Sequence, residues 1–206
     1  MNRRTMISSL LGLSLGGRLA QAQTQPYRVS LIGGGFEAGE WRAGILVELD
    51  RGWKTYWRMP GEAGIPPKFD WAKSQGLIGA DVLYPLPERL HDLSGETIGY
   101  QQRVVFPVIA KPVADAAAVK LHLDLFFAVC KDICIPAKAE DTLAFGSANA
   151  EDTSTVEDWM KRVPIRGTAV RSVTSVMAGK KAILVVALTQ PADDIFVESA
   201  SPAYFR

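Results

Sequence analysis

Two cysteines carry the clearest capacity for chemistry in this sequence. Cys130-Lys131-Asp132-Ile133-Cys134 places two thiols four residues apart, followed by Ile135-Pro136. Three chemistries fit that spacing. The first is a reversible dithiol–disulfide couple. Exchange needs a thiolate that attacks a disulfide sulfur and a second thiol nearby to resolve the mixed disulfide. Lys131 favours the thiolate and Asp132 opposes it, so the residues leave the thiol acidity open. The second is a structural staple. So short a loop removes little unfolded-state entropy, about 2 kcal/mol against nearly 5 for a long loop. The third is a soft-metal site, since thiolates suit Cu(I). Such sites usually recruit His or Met, and none follows Cys134 until Met160. His122 precedes Cys130 by eight residues on the same strand face, about 26 Å away by strand rise. Spacing ranks exchange before staple and staple before metal, and leaves all three open.

The pattern that must position these thiols is mainly β. Residues 119–129 form the clearest strand: Leu121, Leu123, Leu125, Phe127 and Val129 share one face, and His122, Asp124, Phe126, Ala128 and Cys130 the other. A slip of one residue would expose the whole apolar set, so this alternation fixes register. Residues 27–32 alternate up to Gly33-Gly34-Gly35. Residues 44–49 and 53–59 flank Asp50-Arg51-Gly52, a hairpin signal. Residues 60–67 read as a rigid loop, 68–71 and 81–84 as short extended pieces, and 85–95, with two prolines, as a long loop. Residues 100–109 and 142–145 return to strand. Short strands with regular turn signals predict a β-sandwich.

Residues 146–153 are small and polar and read as a linker. Ser154-Thr155-Val156-Glu157 matches a capping box and opens a short helix that Pro164 stops. Residues 169–177 and 182–188 form a further hairpin around Gly179. About 40 residues follow Pro164, thin for an independent β domain, so a partial second β module is expected. The expected division is a signal peptide over 1–22, the sandwich over 23–147, a linker and short helix over 148–164, and the partial β module over 165–206.

Of the 206 residues, 48% are hydrophobic and 22% charged, which excludes whole-chain disorder. Basic residues number 23 and acidic 22, so no electrostatic footprint for nucleic acid exists. Two cysteines are too few for a disulfide scaffold. At the start, Arg3 and Arg4 precede an apolar run over residues 6–17 that is too short to span a bilayer comfortably. Ala20-Gln21-Ala22 then supplies an A-x-A cleavage site. These features predict a secretory signal peptide of the Sec type, with the twin-arginine route or an uncleaved anchor as the alternatives. No later stretch is apolar for 18 residues. The mature chain is therefore expected to be periplasmic or secreted, not membrane-embedded, where disulfides form.

Gly52-Trp53-Lys54-Thr55-Tyr56-Trp57-Arg58-Met59-Pro60-Gly61-Glu62-Ala63-Gly64-Ile65-Pro66-Pro67-Lys68-Phe69-Asp70-Trp71, followed downstream by Cys130-Lys131-Asp132-Ile133-Cys134-Ile135-Pro136, resembles the periplasmic N-terminal domain of the thiol:disulfide interchange reductase DsbD. The branch it most resembles is that of suppressor-of-copper-sensitivity protein B. The likeness covers about residues 27–146. It implies an immunoglobulin-like sandwich without a cofactor. Its cysteine pair, matched here by Cys130 and Cys134, is reduced by a membrane electron donor and then reduces disulfides of periplasmic thioredoxin-like partners. Copper tolerance and cytochrome c maturation are the settings it implies. A cap loop over the pair corresponds to His91-Asp92-Leu93-Ser94, just before Gly95-Glu96-Thr97-Ile98-Gly99-Tyr100, with Leu93 where the better-known branch has an aromatic shield. Tyr56 matches a family tyrosine near the pair, and Lys131 and Asp132 join the docking surface. The better-known branch spaces its cysteines more widely. Full reductases continue into a multi-helix membrane domain and a thioredoxin-like domain, so these 206 residues alone would need a separate electron donor. The rival function is a Cu(I)-binding or copper-tolerance module using Cys130 and Cys134 as ligands.

Among the remaining residues, Trp41, Trp53, Trp57 and Trp71 are expected in the core rather than on a docking surface. Strand parity puts Trp53, Thr55 and Trp57 on one face and Lys54, Tyr56 and Arg58 on the other. Gly33-Gly34-Gly35 lacks the lysine and helix of a phosphate loop.

Overall fold

Alternating apolar residues divide the chain between two facing sheets. The computed structural model describes residues 25–61, 63–92, 95–116, 118–146 and 148–199. The expected signal peptide, and Leu93 and Ser94 of the expected cap, lie outside the described residues. In chain order the elements are β1 (Tyr27–Glu37), β2 (Glu40–Leu49), β3 (Lys54–Gly61), β4 (Lys68–Asp70), β5 (Leu77–Val82), β6 (Glu88–Asp92), β7 (Gly95–Gln101), β8 (Arg103–Pro112), β9 (Lys120–Cys130), β10 (Cys134–Ala144), α1 (Ala150–Met160), β11 (Val170–Ala178) and β12 (Lys181–Leu188). One sheet has the order β1-β2-β8-β5. The other has β10-β9-β3-β7-β6, with β4 also paired to β9. The fold is mainly β, an immunoglobulin-like sandwich.

Ile45, Val47, Val104, Phe106 and Val108 from the first sheet meet Trp57, Leu121, Leu123, Leu125, Phe127 and Val129 from the second. The face expected of residues 121–129 is the face that is buried. Each fully buried side chain of this size contributes about 1.5–3 kcal/mol. Phe127 also meets Tyr27 edge-on, with ring centroids 5.1 Å apart. Trp57 is buried in this core, and Trp41, Trp53 and Trp71 pack against its margin, so all four serve packing.

Local expectations changed in several places, among them residues 100–109, which are not one strand but the end of β7 and most of β8, in different sheets, divided at Gln102 with φ +60°. Residues 44–49 and 53–59 do not pair with each other. β2 already has β1 and β8 on its two edges, so the turn at Asp50-Arg51-Gly52 carries the chain into the other sheet. The stretch read as a long loop contains β6, an edge strand paired to β7, with its prolines lying before it. β10 begins at Cys134, well before the expected residue 142. The helix starts earlier too: Asn149 is its N-cap and accepts the Asp152 backbone N–H at 2.8 Å, leaving Ser154 inside the helix.

That helix is tied to the sandwich. Val156 is fully buried against Ile32 and Val105. Gly44 makes room for it, since a Cβ there would meet Val105 at 2.6 Å and Val156 at 3.1 Å. Among the described residues β11 and β12 pair only with each other. Beyond them Phe196 returns to Trp57, with ring centroids 6.0 Å apart, while Asp194 and Glu198 meet Arg89 and Arg58. Among the described residues no helix is long and apolar enough to cross a membrane.

Candidate functional site

Cys130 ends β9 and Cys134 begins β10. The two face each other in the ladder, their Cα atoms 4.1 Å apart, and are joined by a disulfide. The bond closes the tip of a hairpin whose β9 strand lies in the core, while β10 is mostly exposed apart from Ala137. The sulfurs have unequal surroundings. Cys130 is fully buried in a small cluster with Tyr56 and Ala128, whereas Cys134 is exposed.

Tyr56 explains part of this asymmetry. Its ring is fully buried, yet its hydroxyl lies 3.1 Å from Cys134 Sγ. A disulfide sulfur has no proton, so the phenol donates. Gly64, in the loop after β3, lets that loop press on the ring. Its φ is +131°, and a Cβ would sit 2.5 Å from Tyr56 Cε1. Thr55 secures the same stretch of β3 by donating to the Ala128 carbonyl at 2.9 Å.

A hollow of about 440 Å³ lies beside the pair, lined in part by Lys54, Arg89, His91, Lys131 and Asp132. The structure thus brings His91 of β6 alongside the loop that joins the cysteines. His91 is exposed, with Nδ1 3.7 Å from Glu96 Oε2. Asp92 pairs with Gly95 at the end of the β6–β7 hairpin; its side chain, like Leu93 and Ser94, is outside the description. Arg89 hydrogen-bonds Asp194 and Glu96, which raises its pKa and, for Asp194, lowers the carboxyl below its ordinary range. Among the described residues no group of three or more His, Cys, Asp or Glu gathers to hold a metal ion.

Deeper in the sandwich, burial pushes the Tyr84 phenol up to about 12, against the opposing pull of Arg58. Burial also raises Tyr100, whose hydroxyl donates to the Pro85 carbonyl at 2.8 Å.

The family model for the N-terminal region of thiol:disulfide interchange protein DsbD matches residues 21–145, well over half of the sequence. The chain belongs to this family. Its fold is similar to the crystal structure of the N-terminal periplasmic domain of ScsB from Proteus mirabilis, with a TM-score of 0.62 and 25% identity, over 80% of this chain. The match spans 63% of that domain's length. The reduced N-terminal domain of Neisseria meningitidis DsbD matches at a TM-score of 0.33 and 16% identity, over 58% of this chain and 85% of its own. No curated protein matches.

Within this DsbD-type domain, two features escaped the sequence. Ile133 and Ile135, 75% and 41% exposed, flank Cys134 with apolar surface. Lys54 is only 3% exposed. The parity that placed Lys54 with Tyr56 was the available signal; its burial was not, because lysine is rarely buried unless paired.

Proposed function

We propose that this is an extracytoplasmic thiol–disulfide exchange domain that passes two electrons to disulfides of periplasmic thioredoxin-like partners. The observation that carries the proposal is the unequal pair: a buried Cys130 bonded to an exposed Cys134 that accepts a tyrosine hydrogen bond. In the reduced domain, the Cys134 thiolate attacks one sulfur of a partner disulfide. A Cys134–partner bond forms, and the partner's other sulfur leaves as a thiolate that takes a proton. The Cys130 thiolate then attacks Cys134 Sγ. This restores the internal disulfide and releases the partner's second sulfur as a thiolate, which is protonated in turn. The Tyr56 hydroxyl favours ionised Cys134 by donating to it. Ile133, Ile135, Lys131 and Asp132, with the cap residues His91, Asp92, Leu93 and Ser94, form the docking surface, whereas Tyr56 is fully buried and acts from beneath it rather than as the surface expected from the sequence. A membrane protein of the DsbD type re-reduces the pair.

The test is electron transfer from the reduced chain to an oxidised thioredoxin-fold protein. Transfer should be lost in Cys130→Ser and in Cys134→Ser while both variants stay folded. If the wild type transfers nothing and both variants unfold, the bond is a staple. Anaerobic Cu(I) titration against a competing chelator separates the copper reading, which requires tight stoichiometric binding that disappears in the double serine variant.

A further inference from the structure

Lys54 is buried in the same sheet face as the exchange site. Its Nζ donates to Thr97 Oγ1 at 2.7 Å, and the Thr97 hydroxyl reaches the Leu90 carbonyl at 3.5 Å. The anchor therefore crosses β7 to β6, the strands that lead into and out of the cap. On the other side Lys54 faces Cys130 in the β3–β9 ladder. The same Nζ lies 5.7 Å from the centroid of the Tyr56 ring, and the far end of that ring touches Cys134.

We infer that Lys54 is a positioning residue that acts through Tyr56 to stabilise the Cys134 thiolate, shifting the couple towards its dithiol form. The inference rests on the exchange reading above. In the disulfide state the sulfurs carry no charge for the ammonium to meet. Reduction creates one, and the Tyr56 hydroxyl meets it by donating to the ionised thiol. Behind the ring, the cation also polarises the phenol and strengthens the bond it donates. Burial keeps this effect from being screened, as it is for exposed charges. Lys131 and Asp132, the charges on the loop between the cysteines, are exposed and open to screening. Stabilising the thiolate stabilises the reduced form and makes the couple more oxidising.

The test uses the full chain equilibrated with glutathione redox buffers, with the Cys134 thiol titrated by its thiolate absorbance. Lys54→Met should shift the equilibrium towards disulfide about tenfold, or roughly 30 mV to more negative potential for a two-electron couple. It should also raise the Cys134 pKa, and Lys54→Arg should restore most of both. In a Tyr56→Phe background, Lys54→Met should add little. Thr97→Val, which keeps the lysine but removes its anchor, should shift both in the same direction by less, and it decides the matter if Lys54→Met does not fold. Wild-type constants in a folded Lys54→Met overturn the inference. So does a full shift persisting without the Tyr56 hydroxyl, or, where Thr97→Val decides, no change in that variant. A wild type that never equilibrates with glutathione removes the exchange reading itself, a distinct result.

Discussion

The β9–β10 and β11–β12 hairpins are built from similar strands and have opposite fates. β9 buries Leu121, Leu123, Leu125, Phe127 and Val129 against the facing sheet and is flanked by β10, β3 and β4. β11 is exposed along its whole length, with Val173 and Met177 at 55% and 68% exposure. Both hairpins are paired along nearly their whole length, β11–β12 with one irregularity between Val170 and Ser172, so backbone pairing does little to separate them. Burial of a face does, since an isolated two-stranded hairpin is marginal in water. Chemistry follows the same division. Disulfide exchange needs one sulfur held still and one presented, and the β9–β10 hairpin provides both, with Cys130 on buried β9 and Cys134 on exposed β10.

The largest contrast should come from side-chain truncation. Phe127→Ala should cost about 3–5 kcal/mol of unfolding free energy, and Val176→Ala in β11 no more than about 0.5 kcal/mol. Denaturant titration of both reads the difference, and comparable costs would break the comparison. Glycine substitutions sharpen it. Gly179→Ala meets open space at φ +65° and should cost about 1–2 kcal/mol of backbone strain alone, without changing exchange. Gly64→Ala should cost more, because its Cβ drives into the Tyr56 ring, and it should slow exchange by moving the hydroxyl off Cys134. Equal exchange rates in the two variants would show that Tyr56 is idle.

The smallest effect is in alkali. The β11–β12 hairpin contains no tyrosine, so apart from Tyr204, which lies outside the described residues, phenol titration reports the sandwich. Tyr84 is raised from 10.0 to about 12 by folding. Its contribution to stability is therefore complete below pH 10 and lost as pH rises through about 12. Phenolate absorbance should show delayed ionisation of Tyr84, lost in Tyr84→Phe. Titration of all tyrosines near 10 would contradict the burial.

The sequence displayed what depends on local pattern. The buried face of β9 could be read from five alternating apolar residues, and the reactive pair from its spacing and its place at a strand end. Pairing choices could not be read this way. Residues 44–49 and 53–59 look like a hairpin because they are adjacent, but the partners of β2 lie at β1 and β8. Pro85 and Pro87 hid β6, because prolines just before a strand give the same signal as a loop. At the helix start, Asn149 outcompeted Ser154 by capping Asp152, one turn earlier. Lys54 and Thr97 were hidden for a different reason. A buried lysine becomes visible only when the threonine 43 residues away is seen to receive it.

The central claim is that Cys134 exchanges with partners while Cys130 stays shielded. Its most direct test compares mixed-disulfide formation with oxidised glutathione in Cys130→Ala and Cys134→Ala. The account predicts rapid capture by the first, whose remaining thiol is exposed beside Tyr56, and slow capture by the second, whose remaining thiol is buried. Equal rates, or faster capture through Cys130, would contradict it.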